Sequence, residues 1–226
     1  MKYTKIKKGI FKERPNRFIA YVDIAGKRET VHVKNTGRCG ELLIPGAKVV
    51  LEDFSDRADR KTKYDLIAVY KGDRLVNMDS QAPNKVAAEY IKRIYPDAKL
   101  IKPEAKKGDS RLDFYIEPAE GVPLYMEVKG VTLEFDGVVS FPDAPTERGI
   151  KHIRELEKCI KEGFEAVVLF VIQMEDVEYF TPNDLRHKAF GDALRHGAAN
   201  GVKVWAIDTT VGEDSLEPGK MVEVRL

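Results

Sequence analysis

Apolar and polar side chains alternate over the first 80 residues with the two-residue period that is typical of half-buried β-strands. Turn-forming Gly, Pro, Asn and Asp residues separate these alternating runs at short intervals. Strands of this kind favour a small all-β domain, and about five of them in one module indicate an OB-like barrel. The predicted strands cover residues 18–24, 30–33, 47–51, 64–70 and 74–78.

The pattern changes after residues 80–84, a turn-rich segment that contains Pro83 and Asn84. Beyond it, apolar positions recur with helical spacing, and a continuous apolar run at 166–172 is typical of a strand buried on both faces. We therefore predict two domains, an OB-like β-barrel over 1–80 and an α/β domain with a mixed sheet over 84–226. The predicted helices cover 85–95 (capped by Asn84), 148–162 and 184–200, and the predicted strands cover 111–116, 123–133, 166–172 and 202–207.

The charged residues are unevenly divided between the two predicted domains. Residues 1–80 contain 18 Lys and Arg against 11 Asp and Glu, a net charge of +7, whereas residues 81–226 contain 20 against 26, a net charge of −6. A basic module attracts the phosphate backbone of nucleic acids. An ordinary basic surface would give the same count, so charge alone leaves both interpretations open.

The chain lacks the sequence features of membrane and secreted proteins. It contains no run of about 20 uncharged apolar residues, the length that a membrane-spanning helix needs. Residues 1–18 are basic but lack the apolar core of a signal peptide. Cys39 and Cys159 stand apart from any CxxC or Cys/His cluster, which argues against a structural zinc site. We expect a cytoplasmic protein with two reduced thiols and no membrane association.

The candidate chemistry is centred on Glu127-Val128-Lys129, within an apolar strand. Residues two apart share one face of a strand, so Glu127 and Lys129 point the same way and Val128 points to the other face. Charged side chains at such positions of a buried strand cost desolvation energy, which indicates a functional requirement. Metal-assisted phosphodiester cleavage has this requirement, because Mg²⁺ takes one or two carboxylates and a Lys offsets charge on the transition state. Asp113 on the preceding strand and Glu89 on the preceding helix are the further carboxylates that we predict at this site.

A surface salt bridge on an edge strand would show the same spacing, and such pairs are common. An acid followed two residues later by Lys also occurs at 59–61, 97–99 and 104–106. These three copies lie in polar stretches that we interpret as loops, whereas residues 127–129 lie in an apolar strand. Spacing alone leaves the two interpretations equal, and the strand context favours the site at Glu127.

The segment 140–152, which follows the candidate strand, is rich in Asp, Thr, Arg, Lys and His. We expect Lys151 and His152, at the start of a helix, to contact phosphate, and His152 could also relay protons. A solvent-facing helix residue is the alternative for His152. Gln173, at the end of the buried strand, could reach the rim of the site or could face water.

Arginines alternate with aromatic residues in the barrel segment 11–18 (FKERPNRF), which suits phosphate contacts combined with base stacking. We expect Arg14 and Arg17 to contact nucleic acid there. The segment 35–38 (NTGR) is a tight loop whose backbone amides and Arg38 could hold an anion. A plain turn between two strands is the alternative.

Several motifs occur together, in order, along nearly the whole chain. They are 11–18 (FKERPNRF), 35–38 (NTGR), 41–46 (ELLIPG), 60–64 (RKTKY), 127–129 (EVK) with Thr132 and Leu133, and 141–149 (FPDAPTERG) with His152. In combination they resemble the sugar fermentation stimulation protein A family, which is described as DNA-binding. The resemblance implies an N-terminal OB-like domain and a C-terminal domain of PD-(D/E)XK nuclease-like fold. It places Asp113, Glu127 and Lys129 at the nuclease triad positions. We predict Mg²⁺ or Mn²⁺ as cofactor and include Lys61 among the expected nucleic-acid contacts.

Two functions stay open at this point. The first is a metal-dependent nuclease that acts on DNA, with the barrel holding the strand. The second is a non-catalytic DNA-binding regulator of sugar (maltose) metabolism genes on a nuclease-like scaffold. The sequence leaves both a monomer and a homodimer open.

Overall fold

The computed structural model of the protein describes residues 1–35, 37–108 and 110–226. Its first unit consists of β-strands whose inward side chains, among them Phe11, Val22 and Leu51, form an apolar core. The strands are β1 (Ile6–Asn16), β2 (Ile19–Ile24), β3 (Lys27–Val33), β4 (Lys48–Asp53), β5 (Tyr64–Lys71) and β6 (Arg74–Asn77).

Five of these strands close into a barrel. β1 pairs antiparallel with β2 and with β4, β2 pairs with β3, and β4 pairs with β5. The parallel pairing of β3 with β5, at His32↔Asp65 and Val33↔Leu66, completes the circuit. Because closure pairs the edges of the sheet, this arrangement confirms the predicted OB-like architecture.

Two details of the barrel differ from the prediction. The sequence pattern does not predict β1, because only Gly9 and Phe11 among its 11 residues are buried and its many charged residues hide the alternation. The predicted fifth strand, residues 74–78, corresponds to β6, which forms a hairpin with β5 instead of closing the barrel. The fifth strand of the barrel is therefore β1, whose C-terminal part was predicted only as a basic, aromatic motif.

The second unit is a mixed six-stranded sheet with helices on both faces, which confirms the predicted α/β architecture. The sheet contains β7 (Leu100–Lys107), β8 (Ser110–Glu117), β9 (Leu124–Val131), β12 (Glu165–Ile172), β14 (Lys203–Val211) and β15 (Leu216–Met221). The strand order is β15-β14-β12-β9-β8-β7, with β9, β12 and β14 parallel and the outer strands antiparallel to their neighbours. A smaller second sheet contains β10 (Leu133–Phe135), β11 (Val138–Phe141), β13 (Tyr179–Pro182) and β16 (Glu223–Val224).

Helix α1 (Ala82–Ile94) covers one face of the large sheet, and α2 (Glu147–Lys161) and α3 (Asp184–Ala199) cover the other. β12 is apolar on both faces because its alternate residues pack against these two layers, as the sequence predicts. The backbone N–H of Gly149 donates to Thr146 Oγ1 (3.1 Å) and caps the start of α2. Within the described ranges, no helix is long and apolar enough to cross a membrane.

The two units meet in a buried polar junction. Asn77 N donates to Gln173 O, and Gln173 Nε2 donates to Asn77 Oδ1, both at 2.9 Å. The fully buried Asp79 accepts from Lys34 Nζ (2.6 Å) and from the Tyr3 hydroxyl (3.3 Å). Gln173, expected at the rim of the site or in water, is therefore a buried junction residue. These bonds hold the barrel against the carboxyl end of β12.

Residues 1–3 precede β1 and pair with the second unit. The Met1 amino group donates to Leu216 O (2.7 Å), and Tyr3 N donates to Asp214 O (2.7 Å). The predicted barrel domain starts at residue 1, whereas the first barrel strand begins at Ile6.

Candidate active site

The candidate site lies where β8 and β9 diverge. Their antiparallel ladder runs from Ile116↔Leu124 to Phe114↔Met126. One further step in this register would place Asp113 opposite Glu127. At this step the Asp113 side chain takes the place of a backbone acceptor, because Val128 N donates to Asp113 Oδ2 (2.7 Å). The backbone pairing of β8 with β9 therefore ends at the two predicted carboxylates.

Glu127 is buried and is contacted from two directions. Its Oε1 accepts from Lys129 Nζ at 2.5 Å and from His152 Nδ1 on α2. Val128 points to the opposite face and packs in the apolar cluster beneath α1, as the two-residue period predicts. The second oxygen of Glu127, Oε2, is buried and has no hydrogen-bond partner within the described chain.

The surroundings shift the pKa values of the two carboxylates in opposite directions. Burial raises the pKa of Asp113, and the neighbouring charge of Glu127 raises it further, against the Val128 amide, Asn84 and Lys129. Burial also acts to raise the pKa of Glu127, but the hydrogen bond from His152 and the charge of Lys129 outweigh it and lower the pKa. Glu127 is therefore the carboxylate that stays ionised, and Asp113 is the one that protonates first.

Asn84 is a site residue that the sequence analysis assigns to another role. The prediction makes it the cap of a helix that begins at 85, but α1 begins at Ala82 with Pro83 in its first turn. Asn84 consequently lies inside that turn, where its Nδ2 donates to Asp113 Oδ1 (2.8 Å). A polar residue directly after Pro83 at a helix start is visible in the sequence. The sequence pattern does not show that this residue faces Asp113.

His152 belongs to the site but does not face solvent. It lies on the inward side of α2, where its Nδ1 donates to Glu127 and its Nε2 accepts from Arg148 Nε (3.4 Å). Only 6% of the residue is exposed, so the phosphate contact of His152 stays a prediction that this arrangement does not favour. Its hydrogen bond orients the Glu127 carboxylate, in the way that the neighbours of a metal ligand hold that ligand in place.

Glu89, the third predicted carboxylate, does not join the cluster. Its carboxylate contacts the Met1 amino group at 2.9 Å, and 48% of its side chain is exposed. Five residues separate Glu89 from Asn84, and at about 3.6 residues per turn this spacing places them on different sides of α1. The helix therefore directs Glu89 away from Asp113.

Arg14, one of the predicted nucleic-acid contacts, makes structural hydrogen bonds within the barrel unit. Its guanidinium donates to four backbone carbonyls at 2.6–2.8 Å. The acceptors are the carbonyl oxygens of Arg17, Asn35, Gly37 and Arg38. Arg14 thus fixes the loop that follows β3 through its two Nη groups, while its buried Nε has no partner within the described residues. Thr36, in the same loop, lies outside the described residues.

The other predicted nucleic-acid contacts are exposed. Arg17 lies with its guanidinium 5.9 Å from the centre of the Phe18 ring, Arg38 and Lys61 lie in barrel loops, and Lys151 lies on the outer face of α2. They are accessible to a ligand, but the structure does not bring them together with Glu127.

The cluster offers two carboxylates as metal ligands, Asp113 and Glu127. Within the described residues, no group of three or more His, Cys, Asp and Glu side chains is arranged to hold a metal ion. Mg²⁺ fits a site with two carboxylates because it keeps several waters, and the unpartnered Glu127 Oε2 is the oxygen available to it. Both cysteines are buried, and burial raises the pKa of the thiol to about 12 for Cys39 and about 11 for Cys159, so both are poor metal ligands.

Comparison with known proteins identifies relatives over the full chain. The family model described as the SfsA N-terminal OB domain matches residues 13–78, and the sugar fermentation stimulation protein RE domain matches residues 81–215. Sugar fermentation stimulation protein homologs from Desulfitobacterium hafniense (strain Y51) and Clostridium beijerinckii are each 56% identical, covering all of this chain and 99% and 100% of the relative.

A solved structure shows the same fold. It is described as the structure of Pyrococcus furiosus SfsA in complex with Ca²⁺, with a TM-score of 0.86 and 27% sequence identity. The match covers 100% of this chain and 98% of that one. On these matches the chain belongs to the sugar fermentation stimulation protein (SfsA) family.

Proposed function

We propose that this protein is a divalent-metal-dependent phosphodiesterase that cleaves DNA, with its site at Asp113, Glu127 and Lys129. One observation carries the proposal: Glu127 Oε2 is buried beside a second carboxylate and has no hydrogen-bond donor within the described chain. A buried polar atom without a partner costs about 1–3 kcal/mol, and a charged one costs more. A bound cation would remove this cost, and the SfsA of Pyrococcus furiosus in complex with Ca²⁺ supports divalent binding in the family.

Asp113 and Glu127 are the residues that would hold Mg²⁺ or Mn²⁺. Such an ion, when bound, polarises a phosphoryl oxygen and lowers the pKa of a coordinated water. The chain prepares its two ligands differently. The Val128 amide and Asn84 hold both oxygens of Asp113, whereas His152 and Lys129 hold only Oε1 of Glu127.

Lys129 supplies the positive charge of the proposed site. Its ammonium group lies 2.5 Å from Glu127 Oε1, on the same face of β9. From this position it offsets negative charge that develops on a phosphate oxygen, and it orients the attacking water. His152 acts through Glu127, because its ring is buried behind the carboxylate.

The DNA partner is supported by charge and by exposed basic side chains. The first 80 residues have a net charge of +7, and Arg17, Arg38 and Lys61 are exposed on this unit. Lys151 adds an exposed cation on α2, the helix that carries His152. Cations of this kind contact the phosphate backbone without reading sequence.

A cleavage assay tests the proposal. Single-stranded, duplex and branched DNA are incubated with the full chain and Mg²⁺ or Mn²⁺, and product is followed by gel electrophoresis. We expect metal-dependent cleavage by the wild type that is lost in Asp113→Ala and Lys129→Ala. Lys106→Ala, in the exposed Glu104-Ala105-Lys106 copy of the motif, is the matched control and keeps activity. Equal cleavage by the wild type and Lys129→Ala would reject the site.

A non-catalytic DNA-binding protein is the second candidate. One observation favours it: the Lys129 ammonium is engaged by Glu127 Oε1, so the positive charge of the site is already paired within the chain. In this case DNA binds with a strong dependence on salt, and no metal produces cleavage of any of the three DNA substrates.

A further inference from the structure

A cavity of about 200 Å³ lies where the barrel meets the second unit. It adjoins Gly130, the residue that directly follows Lys129, and lies at the carboxyl ends of the parallel strands β9 and β12. Ligands of α/β sheets bind at this edge. We infer that the cavity binds one unpaired nucleobase of the DNA, with guanine preferred, beside the proposed cleavage site. The inference rests on the proposed function for its partner, DNA.

The walls of the cavity come from separate parts of the chain. The barrel contributes Asn35 and Gly37, the linker contributes Ser80, and β12 is followed by Gln173. The second unit adds residues 130–133 and the segment that contains Ser140, Phe141 and Asp143. The cavity therefore exists only when both units are folded together.

Two glycines allow the walls of the cavity to approach each other closely. A Cβ atom on Gly130 would lie 2.6 Å from Gln173 Oε1, and one on Gly37 would lie 2.4 Å from Asp143 Oδ2. Neither distance is compatible with a side chain unless the neighbour moves. Arg14 adds to this shape, because its bonds to the carbonyls of Asn35 and Gly37 hold the barrel loop against the cavity.

The chemistry of the lining favours a base over a phosphate. The Asp143 carboxylate makes no hydrogen bond or ion pair with the described part of the chain, and its negative charge repels a phosphate. A carboxylate accepts two hydrogen bonds side by side. The Watson–Crick edge of guanine presents two adjacent donors, N1–H and N2–H, and extruded bases are read at this edge.

An aromatic residue forms part of the remaining wall. Phe141 lines the cavity and is held by the rings of Phe170 and Phe190, with centroid distances of 5.6 and 5.1 Å. A fixed aromatic side chain stabilises an unstacked base by contact with its face. The small volume admits one base and excludes a base pair, so the inferred substrate class is DNA with an unpaired nucleotide at the site.

Binding of defined oligonucleotides tests the inference independently of cleavage. Fluorescence anisotropy is measured with the full chain in EDTA, using labelled oligo-dT that carries one central dG, dA or deoxyinosine. Deoxyinosine lacks only the N2 amino group of dG, so the comparison leaves the protein unchanged. We expect the wild type to bind the dG oligonucleotide about tenfold more tightly than the deoxyinosine oligonucleotide, the scale of a lost bidentate contact.

The variant Asp143→Ala should bind all three oligonucleotides equally, while Asp97→Ala, an exposed carboxylate in the turn after α1, should keep the preference for dG. Thermal unfolding verifies that both variants fold. Equal affinity of the wild type for dG and deoxyinosine would overturn the inference, as would a preference for dG that survives in Asp143→Ala. A dG preference without cleavage in Mg²⁺ would keep the cavity and reject the nuclease, and absence of all DNA binding would reject both.

Discussion

Two strands of the same sheet carry the same Glu-x-Lys motif, Glu127-Val128-Lys129 on β9 and Glu104-Ala105-Lys106 on β7. In both, the middle residue is buried. Glu127 and Lys129 share a face of β9, whereas Glu104 has a positive φ of 49° that departs from regular strand geometry. The side chain of Glu127 is only 4% exposed, whereas that of Glu104 is 73% exposed. The charged face of β9 lies under α2, while β7 is the edge strand of the sheet. The comparison shows that the layer above the strand, and not the spacing, decides whether the carboxylate is buried.

The comparison also corrects the sequence analysis. Residues 104–106 were predicted to lie in a loop, but they form part of β7. The interpretation fails because Pro103 and the surrounding lysines lower the strand propensity of this segment. An edge strand tolerates such residues, since one side of its backbone makes no ladder hydrogen bonds. The ion pair of Glu104 with Arg111, at 3.2 Å, is the exposed salt bridge that was the alternative for Glu127.

The largest expected difference between the two motifs is catalytic. Lys129→Ala should lower the rate of DNA cleavage by about 10²–10³-fold, the loss that follows removal of one charge-stabilising donor. Lys106→Ala should leave the rate unchanged, because its side chain is exposed on the edge strand. Initial rates in Mn²⁺ measure both. Equal losses in the two variants would mean that the buried motif has no special role.

Metal binding should separate the two carboxylates of the comparison. At a metal concentration of 100 times Kd, Mg²⁺ or Mn²⁺ should raise the free energy of unfolding by about 2.7 kcal/mol in the wild type. Glu104→Gln should keep this gain, and Glu127→Gln should lose it. Chemical denaturation with and without EDTA gives the values. A gain that survives in Glu127→Gln would locate the metal elsewhere.

The arginines of the barrel extend the comparison between buried and exposed charges. Arg14→Ala removes four hydrogen bonds to carbonyls and should lower the free energy of unfolding by about 2 kcal/mol. Arg17→Ala should change it by less than about 0.5 kcal/mol. In salt titrations of DNA binding, Arg17→Ala should reduce the slope of log K against log salt by about 1. The opposite pattern would return Arg14 to the predicted nucleic-acid contacts.

The smallest expected effect is a pH dependence of stability without metal. The raised pKa of Asp113 means that its ionisation opposes folding above its folded-state pKa, and this penalty is absent below the ordinary Asp range. Asp113→Asn should therefore raise the melting temperature at neutral pH and lose this gain in acid. The lowered pKa of Glu127 has the opposite sign, so Glu127→Gln should lower the melting temperature at neutral pH. Melting curves in EDTA from pH 3 to 8 test the signs, with Glu104→Gln unchanged.

The sequence predicts those parts of the fold whose elements have a clear hydrophobic period. β12, α2 and four of the five barrel strands follow from alternation or helical spacing. β1 does not, since its charged residues face water on both flanks of a short buried centre. The small sheet of β10, β11, β13 and β16 is also missed, because its strands have only two to four residues each and no period can be recognised.

The sequence predicts the chemistry of the site better than its geometry. Glu127 and Lys129 share a face because strand geometry requires it, and that relation needs no tertiary information. The orientation of His152 toward Glu127 depends on the packing of α2 over β9, and Asn84 reaches Asp113 only because α1 begins at Ala82. The cavity at Asp143 is formed by residues that are about 100 positions apart in the chain, so no local pattern predicts it.

The buried junction has a consequence for how this protein can be studied. Asn77 and Gln173 satisfy each other's polar groups across the two units, and the Asp79 carboxylate accepts from Lys34, Tyr3 and the backbone N–H of Gln81. Separating the chain after residue 80 would remove Asn77, the hydrogen-bond partner of Gln173 at the end of β12, and would expose this buried surface to solvent. The barrel and the α/β unit should therefore unfold in one cooperative transition. Deletion of either unit would then cause misfolding and would not reveal the separate function of the other.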